Sequence, residues 1–261
     1  LRLTGINLLW TVHNKYNHER EHRDIALFIS RILSADCTDI KVECDSAKRT
    51  IEDLFNIDNR SKVHVIPEGN YINAYQDEIN RSTARKRLDV DQSSFVFVYF
   101  GQIRKYKGVE KLIQTFLNSD VRAKLLIVGN PSDDIIEHYI SSKSKTDERI
   151  ITELRYIPDD EVQYYLRAAD VTVFPYNDIL TSGSALLAMS FGRPVIAPSM
   201  GCIPELLSNQ DALLYQSGQT ENLKQIIKHA RTREDLDSIG QENMDKAQSL
   251  SWNDIAAQTI E

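Results

Sequence analysis

Two short stretches carry residue types that could hold a phosphorylated ligand. Arg104 and Lys107 lie three positions apart, just past Gly101, which ends an apolar run. Arginine offers planar, bidentate donors and lysine a compact point charge, a pair suited to a diphosphate. Thr181-Ser182-Gly183-Ser184 opens a second stretch. Its composition is that of a helix start, where free N–H groups and the positive end of the helix dipole favour an anion. Gly183 has no side chain to hold a ligand away from the backbone. Alone, neither stretch is specific: an Arg–Lys pair is commonly a solvated surface, and Ser-Gly-Ser a plain cap. The helix expected next reads Ala185-Leu186-Leu187-Ala188-Met189 and holds no acid.

Other chemistries fit less well. The six histidines are His13, His18, His22, His64, His138 and His229. His18 and His22 stand four apart in HEREH, which has the letters of H-E-x-x-H; a surface pair is still the plainer reading and no metal site is expected. No D-x-D pair follows a strand, and Asp159-Asp160 reads as a helix cap with Asp159 as N-cap. There is no G-x-S-x-G elbow, and Cys202 has no recognisable base nearby. No G-x-G-x-x-G follows a strand, which disfavours an oxidoreductase. The net charge of −7 argues against a dedicated nucleic-acid binder. Cys37, Cys44 and Cys202 form no C-x-x-C pair, and their odd count and wide spacing predict no disulfide framework and a reducing compartment. No apolar run approaches the roughly 20 residues needed to span a bilayer, and no signal peptide is visible.

The elements that must position these residues alternate along the 261 residues. Strands are expected at 7–14, 39–46, 62–69, 93–101, 123–130, 149–157, 171–176 and 194–198. Helices are expected at 20–34, from about Ser46 as N-cap, over RSTARKRL, at 107–118, over DDIIEHYISSKS, at 159–170, after Ser182, and through most of 203–261. SSFVFVYFG is apolar throughout, as suits a central parallel strand buried on both faces. Repeated strand–helix units with short connections predict an α/β fold with a doubly wound, Rossmann-like parallel sheet. In such sheets ligands bind past the carboxyl ends of the strands. Both candidate stretches follow strands, which unites them at one edge of one sheet.

In this order, YFGQIRKYKGVEKLI, AKLLIVGNP, RYIPDDEVQYYLRAADVTVFPY, SGSALLAMSFGRPVIAP, GCIPELL and LLYQSG resemble the retaining glycosyltransferases of family 4, which have the GT-B fold. WTVHN, KVECDSAKRTI and VHVIPEGNY resemble the second half of that family's N-terminal domain. The chain opens on Leu1 in the middle of a domain, so the first half of that domain is expected to be missing. The resemblance implies a partial N-terminal, acceptor-side Rossmann-like domain at 1–75, a linker at 76–93, a nucleotide-sugar domain at 94–250, and a C-terminal helix at 251–261 crossing back. Arg104 and Lys107 match the basic pair on the donor diphosphate, beside Gly101. Ser182, Gly183 and Ser184 match the helix start that holds the distal phosphate. Tyr156 and Ile157 lie where the family's base-binding loop is. Glu205 falls in the G-x-x-P-E turn near the cleft, though it reads equally as a helix-start acid. His13 matches the cleft histidine facing the transferred sugar, against the plainer reading of a satisfied strand-end histidine.

The departure from the family is its pair of glutamates, which fall at Ala188 and near Leu180; Asp178 is the only nearby acid for the sugar-side role. The implied activity is transfer of a sugar from a nucleotide diphosphate sugar to a glycan or lipid-linked acceptor hydroxyl, with retention, in polysaccharide or glycan biosynthesis. No metal or other cofactor is expected, and no nucleic acid. The expected location is cytoplasmic, with peripheral contact at the inner face of the membrane through the N-terminal domain. The alternative is a non-catalytic subunit that binds a partner enzyme or glycan, which the absent glutamates favour.

Overall fold

The computed structural model describes residues 6–16, 22–207 and 213–260. The proposed His18–His22 pair therefore rests on a position outside the described residues. The N-terminal part is a three-stranded parallel sheet in the order β1 (Leu9–Thr11), β2 (Asp39–Val42), β3 (Val63–Val65). Trp10 stands beside Ile40, and Ile40 beside Val63. Helices α1 (Arg23–Asp36) and α2 (Asp45–Phe55) connect them. Ile40, Ala47, Ile51 and Phe55 form the core here, with the Phe55 ring stacked on Trp10 at 5.4 Å between centroids. The apolar stripe of α1, with Ile25, Phe28, Ile29 and Ile32, stays largely exposed.

The second sheet holds six parallel strands: β4 (Val96–Phe100), β5 (Lys124–Val128), β6 (Ile150–Glu153), β7 (Val171–Val173), β8 (Val195–Pro198) and β9 (Leu214–Tyr215). Their order, β6-β5-β4-β7-β8-β9, is that of a doubly wound sheet that reverses direction between β4 and β7. Every residue of β4 is buried, as the apolar run predicts. A buried Val or Phe there contributes about 1.5–3 kcal/mol. Around the sheet lie α3 (Arg81–Arg87), α4 (Val109–Leu117), α5 (Asp134–Thr146), α6 (Val162–Ala168), α7 (Gly183–Ser190), α8 (Ile203–Leu206), α9 (Thr220–Ala230) and α10 (Leu236–Gln248). No helix among the described residues is long and apolar enough to cross a membrane.

The segment expected as a linker contains α3, which packs on α6. Arg85 is fully buried there. Its guanidinium donates to the carbonyls of Ala168, Gln92 and Ser94 and to Asp170 at 2.7 Å. The last helix, α11 (Trp252–Ile260), turns back toward the N-terminal domain. The Trp252 indole N–H donates to the Asn70 carbonyl at 2.8 Å, and the ring covers Gly69.

Three local expectations are corrected. The N-cap of α2 is Cys44, whose sulfur accepts from the Ala47 N–H, and not Ser46. Asp159 does not cap α6: it lies in a turn, and α6 starts three residues later without a side-chain cap. Cys44 and Cys202 form a disulfide, with Cα atoms 5.7 Å apart across a sequence separation of 158. No short spacing could announce it, because the start of α2 meets the turn before α8 only when the domains pack together. The reducing compartment, inferred from unpaired cysteines, loses its basis. Cys37 is free and buried.

Candidate functional site

The reversal between β4 and β7 is where a doubly wound sheet opens a crevice. The loops after these two strands carry the basic pair and the mouth of α7. Arg104 leads into a 3-10 turn, Lys105–Lys107, that precedes α4. The β7 loop is tied to it: Asn177 donates from its backbone to the Tyr106 carbonyl and from its side chain to that of Lys105. The Lys107 ammonium lies 4.6 Å from the centre of the buried Tyr176 ring. On the same ring, the hydroxyl meets the Ser182 hydroxyl at 2.6 Å. Gly101 completes the junction. Its φ is +136°, and a Cβ there would meet the Ser184 hydroxyl at 2.8 Å, so only glycine lets β4 end against α7.

Ser182 is the N-cap of α7, its hydroxyl accepting from the Ala185 N–H at 3.2 Å. The N–H groups of Gly183 and Ser184 precede the first intrahelical donor, the Leu186 N–H that reaches the Ser182 carbonyl, and so lie free at the mouth. They form an anion cradle together with the helix dipole. Burial pushes the Lys107 ammonium down to about 8, and the charge of Arg104 pushes the same way. The charge of a bound polyanion would oppose both effects.

The facing wall comes from the N-terminal domain. His13 follows β1, and its carbonyl accepts from the Thr181 hydroxyl at 3.2 Å. Its Nδ1 lies 2.8 Å from the Glu43 carboxylate, which is nearly buried. That bond raises the His13 pKa against the opposing effect of burial. Tyr71 donates to Glu68 at 2.8 Å, and both side chains lie against Gly183. Desolvation raises the Glu68 pKa, opposed by the Tyr71 hydrogen bond and helped by the charge of Glu43.

Gly101, Arg104, Lys107, Ser182, Gly183, Ser184 and His13 thus converge. Asp178 reaches the same border but pairs with Lys15 at 3.2 Å and stays half exposed. Tyr156 and Ile157 sit past β6, at the sheet's edge; Tyr156 is exposed and Ile157 faces inward, buried. Glu205 lines the interdomain cavity beside Ser182, but its oxygens are engaged by the other domain. It accepts from the Asp45 and Ser46 N–H groups at 3.0 and 2.8 Å and from the Ser46 hydroxyl at 2.5 Å, capping α2 across the domain boundary. Burial alone would raise its carboxyl, but these hydrogen bonds outweigh it and hold the pKa low. Ala188 and Leu180, the positions set against the family glutamates, are core residues. Geometry adds Glu43, Glu68, Tyr71 and Tyr176 to the candidates. Glu68 stood in the IPEG stretch, but nothing in its spacing pointed to the mouth of α7.

Two Rossmann-like units facing across such a crevice define the GT-B fold, and solved structures agree. Sucrose-phosphate synthase from Thermosynechococcus elongatus superposes with a TM-score of 0.84 at 19% identity, covering 99% of this chain and 68% of that one. Anabaena HepE, solved with UDP and glucose, gives 0.82 at 17%, covering 99% and 72%. The family described as "Glycosyl transferases group 1" matches residues 94–232, more than half of the chain, and the chain belongs to it. A GDP-mannose:glycolipid 4-beta-D-mannosyltransferase of Xanthomonas campestris pv. campestris is 37% identical over 102 residues, 39% of this chain and 29% of that protein. A D-inositol 3-phosphate glycosyltransferase of Corynebacterium urealyticum is 24% identical over 273 residues, 97% of this chain and 63% of that protein. The chain therefore spans less than two thirds of the length of these two relatives.

Proposed function

We propose that this chain is the donor-binding part of a glycosyltransferase that moves a sugar from a nucleoside diphosphate sugar to an acceptor hydroxyl. The observation that carries the reading is the meeting of Arg104, Lys107 and the mouth of α7 at the reversal point of the sheet. Arg104 and Lys107 would stabilise charge developing on the leaving diphosphate, and the free N–H groups of Gly183 and Ser184 would hold its distal phosphate. With that charge met by protein groups, the reaction needs no metal or other cofactor, and activity should survive chelation. The acceptor is a glycan or lipid-linked hydroxyl, in line with the glycolipid named for the Xanthomonas relative.

The stereochemistry we propose is retention, through attack on the face the leaving group departs from, with a phosphate oxygen taking the acceptor proton. This needs no protein nucleophile. Inversion is a second reading with its own support. His13, held by Glu43, has the geometry of a general base at the cleft, and the name of the Xanthomonas relative specifies a β-mannosyl product. The anomeric configuration of the product by NMR decides between them.

Calorimetry with UDP and GDP tests the site itself, followed by a transfer assay with UDP- and GDP-sugars. Arg104→Ala with Lys107→Ala should abolish transfer while leaving the melting temperature close to that of the parent. Full turnover in that double variant would overturn the assignment. A chain that binds neither nucleotide would favour the non-catalytic subunit.

A further inference from the structure

We infer that Glu68, supplied by the N-terminal side of the cleft, is the carboxylate that meets the glycosyl group of the donor. It thereby replaces the acids that α7 lacks and selects which sugar is accepted. This rests on the donor site proposed above.

Four carboxylates border the mouth of α7 among the described residues, and Glu68 alone has neither a basic partner nor both oxygens engaged. Asp178 pairs with Lys15. Glu43 is bound to His13. Glu205 spends both oxygens on the start of α2. Glu68 accepts one hydrogen bond, from Tyr71 to Oε1, and its Oε2 carries none among the described residues. The carboxylate is also the closest of the four to the cradle. A Cβ placed on Gly183 would lie 3.7 and 3.8 Å from its two oxygens and 3.0 Å from the Tyr71 hydroxyl. Glu68 and Ser182 together line a cavity of about 230 Å³ between the two domains.

Charge decides what Glu68 can touch. A carboxylate repels a phosphate and accepts hydrogen bonds from hydroxyls. With the diphosphate held by Arg104, Lys107 and the N–H groups of α7, the neutral part next to Glu68 is the sugar. A partly desolvated carboxylate whose second oxygen makes no protein hydrogen bond is free to accept from such donors. Its raised pKa has the same origin.

The test compares calorimetric affinities for UDP and UDP-glucose, and for GDP and GDP-mannose, in the parent chain, Glu68→Gln and Glu68→Ala. The parent should bind the preferred nucleotide sugar more tightly than the matching nucleotide. Both variants should keep the nucleotide affinity within about twofold and lose roughly tenfold to a hundredfold on the sugar form. A parent that binds no nucleotide overturns the donor site, and this inference with it. Nucleotide binding with an unchanged sugar increment in both variants overturns the role of Glu68 alone. So does a variant that loses nucleotide and nucleotide-sugar affinity in equal proportion, or a parent with no sugar increment.

Discussion

If Lys107 holds the donor diphosphate as proposed, binding depends on pH in a direction that can be worked out. Its ammonium is held down to about 8, first by burial and then by Arg104. The other titratable neighbours, Tyr106 and Tyr176, are both shifted upward by burial and stay neutral across the relevant window. In the free protein the lysine is about nine-tenths charged near pH 7 and about one-tenth charged near pH 9. If a diphosphate binds only the charged form, its apparent dissociation constant rises about tenfold between those two conditions. Stability runs the opposite way. The folded pKa lies below the unfolded value near 10.5, so the unfolded chain binds more protons between about 8 and 10.5, and this group's contribution to stability rises with pH across that window. The assay is calorimetry with UDP or GDP from about pH 7 to about pH 9 on the parent, Lys107→Arg and Lys107→Met. The arginine variant stays charged and should show only the titration of the ligand itself, common to all three proteins. The methionine variant should bind weakly at every pH with that same residual slope. If the parent tracks Lys107→Arg across the range while Lys107→Met loses affinity, the lysine contacts the ligand but its burial does not tune it, and the reasoning fails.

Two further outcomes follow from the packing. Arg85→Ala should destabilise the chain by at least about 1–3 kcal/mol in denaturant unfolding, because it leaves three carbonyls without their buried donor while Asp170 keeps Arg81 and the Val96 N–H; a loss under 1 kcal/mol would show that water replaces the guanidinium. Cys44→Ser should remove a link closing a separation of 158 residues, at a cost of about 2–4 kcal/mol. Unreduced peptide mapping should find the Cys44–Cys202 pair in the parent, and alkylation of all three thiols without reductant would refute it.

What could be read in the linear chain was whatever a local period or a strand end encodes. The wholly apolar run of β4 announced a central strand, and Arg104, Lys107 and Ser182–Ser184 could be placed together because the carboxyl ends of parallel strands share one edge. The remainder depends on how two domains meet, and no period reports that. Glu205 looks like a helix-start acid and does cap a helix start, but that of α2 in the other domain. Cys44 and Cys202 are strangers until the same contact forms. The absent glutamates have a physical reason that emerges only in three dimensions. Ala188 and Leu180 are both core residues, packed on opposite sides of the domain boundary, with Leu180 in the N-terminal cluster. An acid at Ala188 would be desolvated without a partner, a cost of several kcal/mol unless it stayed protonated. The helix can therefore offer a ligand only its backbone end. The proposed carboxylate toward the sugar comes instead from the facing wall, where Glu68 meets Gly183 because that residue has no side chain in the way.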